Sequence, residues 1–136
     1  GRKIISDHGL GARELISEMQ ECAKNTSIAG LISASQLERF IRSLDDLETT
    51  VSIILKNASN KEFTGKIAFD TLMMLGTISA TWQMLLSLER ASNAFRNKTS
   101  SSEFLKEKTK TVKHFLDFIF PRYLSNFVTI SASSEK

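Results

Sequence analysis

The sequence predicts an all-α protein, an antiparallel up-down four-helix bundle with a long third helix and a proline-kinked fourth. Three observations predict it. The 136 residues include one proline and six glycines, too few for the turns that a protein of many short strands requires. Four segments repeat apolar residues at intervals of three and four, the period of one helical face. Three Ser-x-x-Glu tetrads, Ser35 with Glu38, Ser59 with Glu62 and Ser100 with Glu103, stand before such segments as capping boxes, in which the serine oxygen takes one orphan amide and the glutamate another.

The first helix is expected over about 10–24, with Ala12, Leu15, Ile16, Met19, Cys22 and Ala23 on one face. The second covers about 36–57, where Leu37, Phe40, Ile41, Leu44, Leu47, Val51, Ile54 and Leu55 form the stripe. Charged residues, from Glu38 and Arg39 to Asp45, Asp46 and Glu48, fill its other face. The third runs over about 61–97. Ile67, Leu75, Ile78, Trp82 and Leu85 make its stripe, while Phe69, Leu72, Met73 and Leu86 widen it. A stripe that wide predicts a helix touched on more than one side, and Gly76 in its middle permits the close approach of a neighbour. The fourth is expected over about 101–130, kinked at Pro121 or ended near Phe120, because proline removes an amide from the helical ladder. The connections, 25–34, 58–61 and 97–102, are polar and short enough to make successive helices antiparallel neighbours. Residues 10–131 are expected to form the bundle, with 1–9 a linker from an upstream catalytic domain and 132–136 a frayed tail.

Composition excludes several classes. Hydrophobic residues make up 41% of the chain, enough for a core at this length. A net charge of +3 is too small for the basic stripe of a nucleic-acid binder. Cys22 is the only cysteine, so no intramolecular disulfide forms, and a cytoplasmic setting is the simplest expectation. No stretch is read as a membrane span or as a signal peptide. Asn-x-Ser/Thr triplets at Asn25, Asn57 and Asn97 are read as chance.

Candidate chemistry is sparse. His8 and His114 are the only histidines, and neither follows a glutamate by three residues, as a di-iron bundle requires. His114 precedes Asp117 by one turn, an exposed polar pair rather than a catalytic one. His8-Gly9-Leu10-Gly11 lacks the preceding strand of a phosphate loop and reads as the entry to the first helix. Lys106, Lys108, Lys110 and Lys113 form a basic run, with Glu103 and Glu107 one turn before Lys106 and Lys110; a solvated, charge-paired face is the default reading, and contact with an acidic partner or a CoA phosphate the alternative. Met73, Met74, Trp82 and Met84 suit a core better than a ligand cavity. Asp70, among apolar neighbours, needs a basic or hydroxyl partner, and Cys22 on an apolar face reads as inert. No residue is assigned a catalytic, cofactor-binding or metal-binding role.

Two separated segments carry a family resemblance. The opening Gly1-Arg2-Lys3-Ile4-Ile5-Ser6-Asp7-His8-Gly9 is similar to the exit from the catalytic domain of bacterial acyl-CoA dehydrogenases. Further on, a helix with Gly76 and Trp82 precedes one with Lys108, Val112, Phe115 and Phe120-Pro121, and this order resembles the extra C-terminal domain of a subset of those flavoenzymes. The chain departs from the pattern where Phe120 replaces the usual leucine before proline and where His114 replaces an aromatic. The resemblance implies a parent enzyme that dehydrogenates an acyl-CoA thioester at its α,β-bond with FAD, in fatty acid metabolism. It also implies that the glutamate base and most flavin contacts precede residue 1. This chain is then a non-catalytic domain, meeting acyl-CoA only through the parent and packing against the upstream dehydrogenase domain or a second subunit of a homo-oligomer. A stand-alone helical adaptor and a small-ligand-binding bundle are the alternatives.

Overall fold

A computed structural model describes residues 9–24 and 28–134. They are helical, with no strand among them beyond an isolated bridge between Ala29 and Ile32. In order they form α1 (Leu10–Ala23), α2 (Ala34–Lys56), α3 (Lys61–Lys66), α4 (Ala68–Arg96), α5 (Ser102–Phe118), a 3-10 turn (Phe120–Arg122) and α6 (Tyr123–Ser134). Five helices therefore exceed two turns, where four were expected. The expected linker at 1–9 lies outside the described residues except for Gly9. The expected tail is helical through Ser134.

The difference in helix number comes from residues 119–122. Pro121 stands in the first turn of the 3-10 segment, where its missing amide costs least. Helix α5 consequently ends at Phe118, and the chain turns to bury Phe120 at 1% exposure. The Phe120 ring lies 6.1 Å from that of Phe40 and 5.1 Å from that of Tyr123, distances at which tilted aromatic pairs attract. A smaller break separates α3 from α4, where buried Ile67 both ends one helix and starts the next.

All three expected caps shift by one or two residues. Ser33, in extended backbone at φ −74° and ψ 155°, accepts from the Gln36 amide, and the Gln36 side chain accepts from the Ser33 amide in return. Asn60 caps α3 by accepting from Phe63 N–H, and Ser101 caps α5 by accepting from Phe104 N–H. Ser35 instead falls inside the first turn of α2, while Ser59 and Ser100 precede the true caps. Capping needs an oxygen at the last extended residue, and a Ser-x-x-Glu pattern does not say which residue that is.

Helix α4 is the hub of the fold, touching each of the other elements. Met74, Ile78, Leu85 and Leu88 on its inner face are fully buried. They meet Leu44, Val51 and Ile54 of α2, Met19 of α1 and Val112 and Leu116 of α5 in one core cluster. The 25–34 connection is less polar than expected, since Ile28 and Ile32 are core residues at 0% and 5% exposure. Gly9 before α1 has φ +79°, and a Cβ there would lie 2.9 Å from Val51 Cγ1. Glycine is required at that point both by the left-handed backbone and by the close approach of α1 to α2.

Buried hydroxyls are satisfied mostly by the preceding helical turn: Ser43 donates to Phe40 O, Thr50 to Asp46 O and Thr81 to Thr77 O. Thr71 Oγ1 and Trp82 Nε1 are buried without a hydrogen-bond partner. One expectation about membranes changes. Helix α4 is long and apolar enough, by length and composition, to cross a bilayer, although its inner face is part of the core.

Candidate functional site

Three carboxylates organise the polar chemistry between helices. Gln36 Nε2 donates to Asp117 Oδ1 at 3.0 Å, tying the cap of α2 to the end of α5. Tyr123 Oη donates to Asp46 Oδ2 at 2.7 Å, and Asn126 Nδ2 donates to Asp70 Oδ1 at 2.9 Å. Asp70 thus takes a carboxamide rather than the expected base or hydroxyl. Asp117 is held by Gln36 and not by His114, whose ring instead packs on Phe118 at 4.8 Å. Burial, followed by the adjoining Asp46 carboxylate, pushes the Tyr123 phenol far above its ordinary pKa of 10.0. Each of these contacts satisfies a donor across a helix junction.

Cys22 is 8% exposed. Burial and the charge of Glu89 push its thiol up, and the neighbouring Trp82 indole offsets part of that without reaching hydrogen-bond geometry. Such a thiol is a poor nucleophile. The lysine run lies on α5 with Lys106, Lys110 and Lys113 exposed. Neither Glu103–Lys106 nor Glu107–Lys110 closes to an ion pair; among the described residues Lys24–Glu21 does, at 3.8 Å. Among the described residues no three of His, Cys, Asp and Glu gather as a metal set. His8 lies outside them.

The feature left over is apolar. Phe69 and Leu72 on α4 are 68% and 69% exposed, and Met73 is 45% exposed. These are three of the four residues that widened the sequence stripe; the fourth, Leu86, packs against the core, and α4 is touched by several elements as that width predicted, but these three stay uncovered. Leu72, Met73, Gly76 and Ala80 of α4, with Phe115 and Ile119 of α5, line an open groove of about 320 Å³. Nothing lies within 4 Å of the position a Gly76 Cβ would take. Of the four residues weighed for a ligand cavity, Met74 is core, Trp82 and Met84 pack against the core, and Met73 lines this groove. A second open hollow, of about 500 Å³, is lined by Leu31, Phe95, Leu105 and Lys106 among others. A flavin needs a deep cleft with donors for its pyrophosphate and ring; these open surface hollows do not fit one.

The family described as "Acetyl-CoA dehydrogenase C-terminal like" matches residues 15–136. No curated protein and no solved structure matches the chain.

Proposed function

The chain belongs to the acetyl-CoA dehydrogenase C-terminal-like family, and from that premise we propose that it serves as the non-catalytic C-terminal domain of an FAD-dependent acyl-CoA dehydrogenase-like enzyme. In this reading the parent body removes the α-proton and transfers hydride to its flavin. The present domain packs against that body or against a second subunit, and acyl-CoA reaches it only through the parent.

The observation that carries the reading is the family match over residues 15–136. The exposed apolar face of α4 supports a packing role. Phe69, Leu72 and Met73 stand 68%, 69% and 45% exposed on it, and exposed apolar surface of this kind is where partners pack.

The test is the parent polypeptide. Its reading frame should encode a flavoenzyme body before residue 1, and deleting residues 10–136 should leave bound flavin in place while weakening subunit association. A frame that encodes no such body, or a deletion that strips the flavin, contradicts the proposal.

A further inference from the structure

We propose that the hollow between α2 and the 3-10 corner is a site for a small organic phosphate, in which the guanidinium groups of Arg39 and Arg42 hold a phosphate monoester and Pro121 and Leu124 pack on the carbon body that carries it. The site is built from this chain alone and stands or falls independently of what precedes residue 1.

The hollow follows from the proline break. Helix α5 ends at Phe118 and the chain turns through Phe120–Arg122. Phe120, Pro121, Tyr123 and Leu124 then form one side of a cavity of about 140 Å³, and Arg39 and Arg42 of α2 form the other. Phe120 and Tyr123 are buried and make its floor, while Leu124 is 46% exposed at its rim.

Arg42 has a choice of carboxylates and takes none. Glu38 stands four residues before it, Asp45 three after and Asp46 four after, spacings at which arginine pairs with an acid along a helix. Among the described residues no ion pair or hydrogen bond engages Arg42 or Arg39. Asp46 is turned to the Tyr123 hydroxyl instead. Arg42 lines the cavity beside Arg39, one turn away, and its charge reaches the Tyr123 phenol and opposes the rise in that group's pKa. Like charges one turn apart repel, and an anion between them relieves that repulsion. The opposing charge at the floor is Asp46, with one oxygen taken by Tyr123. Arg122, between Pro121 and Tyr123 in the chain, adds a third positive charge to the corner.

Chemistry selects the anion. A carboxylate is satisfied by one guanidinium fork through its two oxygens. A phosphate monoester presents three oxygens and a charge approaching about −2, so it accepts from two guanidiniums and matches their charge. Size selects how much of the ligand enters. A cavity of about 140 Å³ is smaller than the roughly 300 Å³ of a site that encloses a whole small molecule. It takes the phosphate and the adjoining carbons, and the rest stays outside against Leu124. Inorganic phosphate gains the first of these contacts and not the second.

Titration of the 136-residue chain with phenyl phosphate, inorganic phosphate and benzoate tests the site, read by the arginine Nε–H resonances in two-dimensional NMR. Phenyl phosphate should give saturable shifts at Arg39 and Arg42, inorganic phosphate should bind more weakly, and benzoate more weakly still. Arg39→Gln and Arg42→Gln should each weaken phenyl phosphate binding at least about tenfold, a change of about 1.4 kcal/mol, with helical content unchanged because both positions are exposed. Arg39→Lys keeps the charge without the planar fork and should still lose most of the affinity. Arg96→Gln, at an exposed position outside the cavity, should bind like the wild type. Shifts that do not saturate or that spread evenly over all arginines, equal affinity for benzoate and phenyl phosphate, or wild-type binding by Arg39→Gln and Arg42→Gln overturn the proposal. So does equal affinity for inorganic and phenyl phosphate, which removes the apolar contact and leaves a site for free phosphate only.

Discussion

Met73 and Met74 are neighbours in the chain and belong to opposite sides of the same helix. Met74 is fully buried with its sulfur 3.5 Å from Thr50 Oγ1, whereas Met73 is 45% exposed beside the open groove. The contrast extends along α4. Ile78, Leu85 and Leu88 on the inner face are 0% exposed, while Phe69 and Leu72 on the outer face keep more than 60% of their surface in water. Both faces carry large apolar side chains, so hydrophobicity alone does not decide which is core. What decides is whether the fold supplies a partner. Helices α1, α2, α5 and α6 cover one side of α4 and leave a strip of the other bare.

The largest break in that comparison should come from truncating the two faces in turn. Leu85→Ala removes a fully buried side chain and should cost about 2–5 kcal/mol. Leu72→Ala should stay within about 0.5 kcal/mol, measured on dilute protein. Denaturant midpoints of the two variants check this, and equal losses would erase the distinction between the faces.

The polar ties behind the inner face come next. Tyr123→Phe leaves Asp46 without its phenol donor and should cost about 1.5–2 kcal/mol at neutral pH, as for hydrogen bonds to charged groups. The phenol's pKa is raised in the folded protein, so the neutral form favours folding. That contribution is complete below the ordinary value of 10.0 and is lost as pH rises beyond it. Wild-type stability should therefore fall more steeply than that of Tyr123→Phe in alkaline titrations. Parallel curves would remove Tyr123 from the account.

Smaller effects should raise stability. Thr71 is 5% exposed, and its hydroxyl finds no partner. Thr71→Val keeps the shape, removes the orphan and should gain about 1 kcal/mol. A loss would show that the hydroxyl is satisfied. Gly76→Ala places a methyl in open space on the outer face and should gain up to about 1 kcal/mol from helix propensity. A loss in thermal unfolding of the dilute protein would mean that Gly76 is needed within the monomer.

Much of this fold is legible in the sequence. The stripe Phe40, Leu44, Leu47, Val51 and Ile54 is buried as its period predicts, because α2 has a single apolar face and a charged back. Pro121 marks the break after α5 because its ring and missing amide act locally. Ile28 and Ile32 are not legible as core, since two isoleucines in a serine- and glycine-containing connection show no period. The caps are misplaced for a related reason. Ser33 forms its box with Gln36, so a search for glutamate passes over it, and three adjacent serines at 100–102 offer more than one candidate for one position. The candidate surface was half visible: the width of the α4 stripe showed a second face, but not that the chain leaves it uncovered. The partners of Asp46, Asp70 and Asp117 lie 77, 56 and 81 residues away in sequence, beyond any local pattern.

The account stands on the two faces of α4 differing in exposure, one in the core and one in water. Peroxide oxidation followed by fragment mass spectrometry reads this directly, because sulfoxide formation follows exposure of the thioether. In dilute solution Met73 should oxidise and Met74 should not. Equal oxidation of the two methionines would mean that the faces do not differ and would contradict the account.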